Sequence, residues 1–331
     1  MTQAARPERL DWVDTARGIG ILLVVYGHAL RGHVTSGQFD PSWHADLQDS
    51  VIYAFHMPLF FFLAGLFAKR SLTKGAQIFV REKAVTLVYP YFLWSIVSVG
   101  LGSLAAGAVN SAVDGGMLLV LWRTPVYQYW FLYALVICQL VTLITRGNPW
   151  ITGLLCVISA FDVRFSGFNM LTVFVSFYIY FGAGILIAPY LSEIHDKRRA
   201  IAAAATLAAI LFLASFFISD IFHERFLVLG RAVTGIVATV GVAMLCAPWS
   251  RWLAVLGAAS MAIYVLHTIF SAGLRIGLRT SGYSNDLVAL ILGALIGIFG
   301  PLAIWALARR YGALPWLGLG AQPRIPREQV A

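Results

Sequence analysis

Charge is what this sequence has least of. Asp, Glu, Lys and Arg make up 12% of its 331 residues, about half the share of a soluble domain. With a mean hydropathy of +0.79, that scarcity excludes a water-soluble globular chain and places most of it in lipid. Cysteine is scarce as well. Cys138, Cys156 and Cys246 stand in apolar stretches at unrelated spacings, so they form no metal motif and no disulfide framework and read as small core residues. The net charge of +9 does not point to nucleic acid, because no basic stretch carries interleaved aromatics. Linkers, soluble appendages and internal repeats are absent too. No small-residue cleavage site follows the first apolar stretch, so that stretch reads as a retained span rather than a signal peptide.

What is present is one hydrophobic run after another. A span needs roughly 20 mostly apolar residues, and ten runs approach that length: 15–33, 51–68, 84–106, 128–145, 148–161, 170–189, 200–219, 226–247, 252–273 and 287–308. The fifth is the shortest. The fold expected is an all-α integral membrane bundle of about ten transmembrane helices with both termini cytoplasmic. Residues 1–14 and 309–331 would form cytoplasmic ends around a membrane domain at 15–308. Basic residues support that orientation, since cytoplasmic loops are enriched in Lys and Arg. The segments it puts inside hold 16 of the 24 Lys and Arg, against six in the outside loops.

Ionisable residues inside such runs are expensive and mark function by default. The first run contains DTARGIGILLVVYGHAL. Eleven residues are about three helical turns, so Arg17 and His28 fall within ~20° of one face and ~16 Å apart along the axis. Asp14, three residues before Arg17, shares that face as its ionic partner. The second run holds Tyr53, His56 and Pro58, where the proline withholds a donor from the Ala54 carbonyl and favours a kink. In the ninth, Ser260, Tyr264 and His267 share a face, with His267 ~21 Å above Leu253 on the inner side. Three histidines from three spans thus reach similar depth, which suggests one polar cavity. Segment 69–83, KRSLTKGAQIFVREK, adds five positive charges at the opposite end. It is first a topology determinant; Arg81 and Lys83 are its candidates for holding a polyanion. The stretch WRTPVYQYWF at 122–131 reads as an interfacial aromatic belt, with Trp130 a candidate for stacking on a sugar. His33, His44, His195 and His223 fall in expected loops and receive no role. Gly293 and Gly297 are spaced for close helix packing.

These residues resemble the acyltransferase-3 family of bacterial multi-span membrane O-acyltransferases, and within it the fucose-4-O-acetylase-like branch. The likeness is carried by the Arg17-x10-His28 element, FHMPLFFFLAGLFAKRS, REKAVTLVYPYFLW, YWFLYALV, FYIYFGAGILI and LGAASMAIYVLH. It runs from about residue 10 to 308. The resemblance implies transfer of an acyl group, commonly acetyl from acetyl-CoA, to a hydroxyl of a glycan or another small molecule. Carried over, the essential arginine and histidine fall on Arg17 and His28, the arginine after the second span on Arg81, and the last tyrosine–histidine pair on Tyr264 and His267. Many members carry a soluble esterase-like domain; with no such segment here, the membrane domain is expected to act alone or to pass its acyl group to a partner.

The expected function is therefore an inner-membrane O-acetyltransferase. Acetyl-CoA is its donor co-substrate, with no metal, and the acceptor is a saccharide of an exopolysaccharide, a lipopolysaccharide or a lipid-linked sugar. His28, His267 and His56 are the catalytic candidates, Arg17, Arg81 and Lys83 the donor-binding ones, and Tyr264 and Trp130 the acceptor-binding ones. Membrane lipid and glycan-assembly proteins are its expected partners. An acetyl-histidine relay is a variant mechanism. A transporter or flippase of a lipid-linked sugar is the alternative from another class, disfavoured by the lack of repeats and of paired broken helices. A sensor or assembly subunit retaining only the fold is a third.

Overall fold

The computed structural model describes residues 11–37, 43–104, 115–161, 170–195, 197–218, 224–283 and 285–320. Among them the only regular elements are helices. In chain order these are α1 (Asp11–Thr35), α2 (Trp43–Leu72), α3 (Ala76–Lys83), α4 (Tyr89–Leu104), the single turn α5 (Met117–Val120), α6 (Trp130–Thr145), α7 (Pro149–Ala160), α8 (Met170–Ile187), the short α9 (Leu191–His195), α10 (Arg198–Ala214), α11 (Glu224–Cys246), α12 (Arg251–Ala258), α13 (Ser260–Thr280) and α14 (Asp286–Arg310).

All ten apolar runs fall on helices, so the polytopic bundle expected from composition is what the chain forms. Eight of the helical stretches are long and apolar enough to cross a membrane. The other two runs supply shorter helices. α7 has 12 residues and α10 has 17, which at 1.5 Å per residue is ~18 and ~26 Å, short of a hydrocarbon core of ~30 Å. Among the described residues, eight helices meet the length and composition of a span. Arg6, Arg9, Arg164, His223, Arg324 and Arg327 lie outside the described residues.

Two expected spans differ in shape. The run at 84–106 begins earlier, as a continuous helical stretch from Ala76 to Leu104 with a π turn at Ala84–Val88. Pro90 explains the π turn: it has no N–H for the Thr86 carbonyl, and its ring would strike that carbonyl in α geometry. The widened turn relieves both. The run at 252–273 is two helices, α12 and α13. Ala259 between them has φ −88° and ψ 1°, which interrupts the α-helical run assumed in placing His267 above Leu253. At its other end α13 runs on to Thr280. Pro58, by contrast, is accommodated inside a continuous α2.

α1 is central, packing against α2, α11, α12, α13 and α14. Glycines set its closest approach. A Cβ on Gly18 would collide with the Leu253 carbonyl, and one on Gly257 with the Asp14 carbonyl, so α1 and α12 touch backbone to backbone. Gly65 and Gly184 make the same reciprocal crossing of α2 with α8. The expected packing role of Gly293 and Gly297 is met between α13 and α14: the Ser271 hydroxyl donates to the Gly293 carbonyl at 2.8 Å, in space that a Cβ on Gly297 would occupy. Beyond α14 the chain through Gly320 folds back on α4. The Tyr89 hydroxyl donates to the Trp316 carbonyl at 2.6 Å and the Trp94 indole to the Leu317 carbonyl at 3.0 Å.

Candidate functional site

Three histidines on three helices repeat one local arrangement. His28 Nδ1 lies 2.9 Å from the Val24 carbonyl, His56 Nδ1 2.7 Å from Ile52, and His267 Nδ1 3.0 Å from Ile263 and 2.8 Å from Tyr264. A carbonyl only accepts, so each Nδ1 carries a proton and Nε2 is the nitrogen left for another partner. For His56 and His267, both almost fully buried, Nε2 has no hydrogen-bond partner in the structure.

The rings come together. His28 and His267 meet edge to face with centroids 5.0 Å apart. Tyr53 stands 6.1 Å from His28 and 4.6 Å, edge on, from His56. Tyr53 is in turn capped by Arg31, whose guanidinium carbon lies 3.1 Å from the ring centroid. Asp49 grips that guanidinium through both oxygens, at 2.6 and 2.8 Å. The three histidines from α1, α2 and α13 do come together, but as a cluster in which His56 and His267 are buried, rather than around the one polar cavity expected.

A cavity lies on either side of this cluster. The first, of about 410 Å³, runs from Arg17 and Lys83 past Thr86, Leu87 and Gln139 to Tyr264. The π turn delivers Thr86 and Leu87 to its wall directly after Lys83. Arg17 pairs with Asp14 at 3.3 Å, as the i, i+3 spacing predicts, and sits 5.8 Å above the Phe67 ring. Gln139 is 4% exposed, and its Oε1 has no hydrogen-bond partner. The second cavity, of about 530 Å³, is lined by His28, His33, Gln128, Thr268 and Arg275, among others. Tyr264 belongs to the first cavity and Gln128 to the second, and the tyrosine hydroxyl donates to the Gln128 carbonyl. The Gln128 side chain donates to Thr268 at 2.8 Å. These bonds make a thin polar partition beside the histidines.

Other expected site residues sit elsewhere. Lys83 faces the first cavity, whereas Arg81 is exposed and lines neither. Trp130 packs on Phe177 at 5.2 Å and Phe61 at 6.4 Å, in the aromatic core rather than on a cavity wall. His56 and His267 are behind His28, which alone of the three lines a cavity. Sequence reasoning missed Gln139, Gln128, His33 and Arg275. Gln139 and Gln128 carried a signal: polar residues within or at the edge of an apolar run. His33 and Arg275 were hidden because α1 and α13 extend past the ends expected for them, to Thr35 and Thr280. Among the described residues no group of three or more His, Cys, Asp or Glu is placed to hold a metal ion.

Comparison with known proteins adds a family. The acyltransferase domain matches residues 10–310. Similar curated proteins are the nodulation protein NolL of Mesorhizobium japonicum, 31% identical over 157 residues that make up 45% of this chain and 40% of that protein, and NolL of Sinorhizobium fredii, 35% identical over 130 residues, 39% of this chain and 34% of that protein. The chain thus spans well under half the length of the curated relatives it matches. No solved structure matches it. With the domain running along nearly its entire membrane bundle, the chain belongs to the acyltransferase-3 family.

Proposed function

We propose that this protein is an inner-membrane O-acetyltransferase that moves acetyl from acetyl-CoA to a saccharide hydroxyl, with donor and acceptor reaching His28 from opposite cavities. The observation that carries this reading is the pair of cavities whose walls are joined by the Tyr264–Gln128 hydrogen bond. Acetyl-CoA enters the first cavity from the cytoplasm, its phosphates toward Arg17 and Lys83. Its pantetheine arm passes Gln139, whose unpaired carbonyl suits an amide N–H of that arm, since a buried acceptor left unpaired is costly. The acceptor occupies the second cavity. His28 Nε2 takes the proton of the acceptor hydroxyl as its oxygen bonds to the thioester carbonyl carbon. The carbon–sulfur bond then breaks, and the thiolate recovers the proton from the His28 imidazolium, leaving CoA thiol and an O-acetyl sugar. On substrate binding the Tyr264 hydroxyl turns from the Gln128 carbonyl and donates to the developing oxyanion. His267 and His56 orient His28 from behind.

The alternative of a transporter for a lipid-linked sugar is less consistent with two cavities that share no lining residue. The deciding experiment compares the cell's glycans by mass with the gene present, deleted, and restored as His28→Ala. Acetylation lost in the last two supports the reading; acetylation persisting in His28→Ala at normal protein abundance overturns it.

A further inference from the structure

We infer that Tyr127 is the platform on which the acceptor's sugar ring stacks in the second cavity, C–H face against aromatic ring. This rests on the acyl-transfer reading and names what its acceptor site recognises, a closed sugar ring rather than a hydroxyl alone. Among the described residues lining that cavity, Tyr127 is the only Phe, Tyr or Trp. It belongs to the aromatic stretch 122–131, whose Trp130 packs into the core instead.

Its backbone is unusual. Tyr127 has φ +49°, in the left-handed region that a bulky residue rarely enters and that glycine would adopt freely. Such a conformation persists only where its surroundings enforce it, and it gathers at ligand sites. Here both flanks are pinned. Val126 and Gln128 are buried, and the Gln128 side chain donates to Thr268 at 2.8 Å. Tyr129 is fully buried; its hydroxyl donates to the Val265 carbonyl at 3.0 Å and lies 2.7 Å from the Ser98 hydroxyl. Between these anchors Tyr127 stays 41% exposed. A ring left uncovered on a fixed backbone is preorganised for a ligand.

The chemistry of the cavity fits a sugar. One face of a sugar ring carries C–H groups, which gain dispersion against an aromatic ring while the hydroxyls turn to polar partners. The walls supply both contacts: Ala29, Leu101 and Ile269 are apolar, and His28, Gln128 and Thr268 are polar. That mixture is the make-up of a small-molecule site. The residue after Tyr127 is Gln128, whose carbonyl receives the Tyr264 hydroxyl of the donor cavity. A ring stacked on Tyr127 is thereby held next to the joint across which acetyl arrives. A tyrosine serving only as an interfacial anchor needs neither the left-handed backbone nor the cavity.

The test uses the full chain in nanodiscs with labelled acetyl-CoA and, as acceptor, an oligosaccharide cut from the glycan that loses acetyl on gene deletion. Tyr127→Gly and Tyr127→Leu should each raise KM for that oligosaccharide about tenfold. Their kcat and their KM for acetyl-CoA should hold, because the lost contact is made equally in ground and transition states. Tyr127→Phe and Tyr127→Trp keep a ring and should stay close to the unsubstituted protein. Trp122→Ala, in an exposed belt residue that lines neither cavity, should change nothing. In the unsubstituted protein, the methyl glycoside of the modified sugar should compete with the oligosaccharide at about tenfold lower concentration than the open-chain alditol. The alditol keeps hydroxyls but has no ring face. Equal competition by the two, or an acceptor KM raised no more by Tyr127→Leu than by Tyr127→Phe, overturns the inference while leaving acyl transfer standing. The competition arm decides the question even if every variant misfolds. Loss of acetyl from no glycan overturns the acyl-transfer reading and the inference with it.

Discussion

His267 meets His28 edge to face at 5.0 Å, while its Nδ1 proton is committed to carbonyls of its own helix. The ring is thereby held in one orientation against the flank of His28, the histidine that reaches a cavity. A group fixed this way positions its neighbour without touching the substrate. Removing His28 should therefore cost about 10²–10⁴-fold in acetyl transfer. His267→Ala should cost less, and its loss should appear in kcat rather than in KM for acetyl-CoA. Rates of the two variants with saturating donor check the ordering; a larger loss for His267→Ala would make that ring the base instead.

Gln139 predicts a division of labour in the first cavity. If its free oxygen serves the pantetheine arm, Gln139→Leu should weaken acetyl-CoA and acetyl-pantetheine alike, by about tenfold for one lost hydrogen bond. Arg17→Gln should weaken acetyl-CoA and leave acetyl-pantetheine, which lacks the nucleotide phosphates, nearly unaffected. Donor KM values for the two thioesters separate these outcomes. Equal losses on both donors for Arg17→Gln would place that arginine away from the phosphates.

How much of this was legible in the sequence depended on whether a signal was local. Arg17, Asp14 and His28 lie on one helix, so their spacing alone gave the shared face and the ion pair. The meeting of His28, His56 and His267 was inferred from matched depth, but which rings face a cavity follows from packing between helices that no spacing records. The break at Ala259 is invisible for the same reason. Residues 252–273 are apolar or small almost throughout, and the turn accompanies the backbone contact of Gly257 with Asp14, far away in the chain. Arg81 and Lys83 look equivalent in REK; two residues on a helix are about 200° apart, so only one can face inward. The structure turns Lys83 that way.

The α1–α12 contact should be a point of low tolerance. A Cβ on Gly257 would lie on the Asp14 carbonyl, with backbone on both sides and no flexible side chain to yield. Gly257→Ala is expected to destabilise by about 1–3 kcal/mol through overpacking, lowering the thermal midpoint in detergent. Gly100→Ala in α4, where a Cβ meets nothing within 4 Å, should be neutral or slightly stabilising. Equal midpoints for the two variants would show that α12 can slide away from α1.

The partition itself carries the last prediction. The Tyr264 hydroxyl is tied to the Gln128 carbonyl, and Gln128 to Thr268, so losing the tyrosine oxygen frees one edge of the wall between the cavities. Tyr264→Phe keeps the ring in its contact with Phe131, at 5.6 Å, and removes only the hydrogen bond. Two effects follow from that single atom. The transition state loses a donor near its developing oxyanion, which slows transfer. Water from the second cavity gains access to the thioester, which raises hydrolysis. Their signature is a higher ratio of free acetate to acetylated glycan per CoA released, measured with labelled acetyl-CoA in the presence of acceptor. A variant that slows both products in proportion would assign Tyr264 to oxyanion stabilisation alone, and one that changes neither would leave the wall to Phe131 and the Gln128–Thr268 bond.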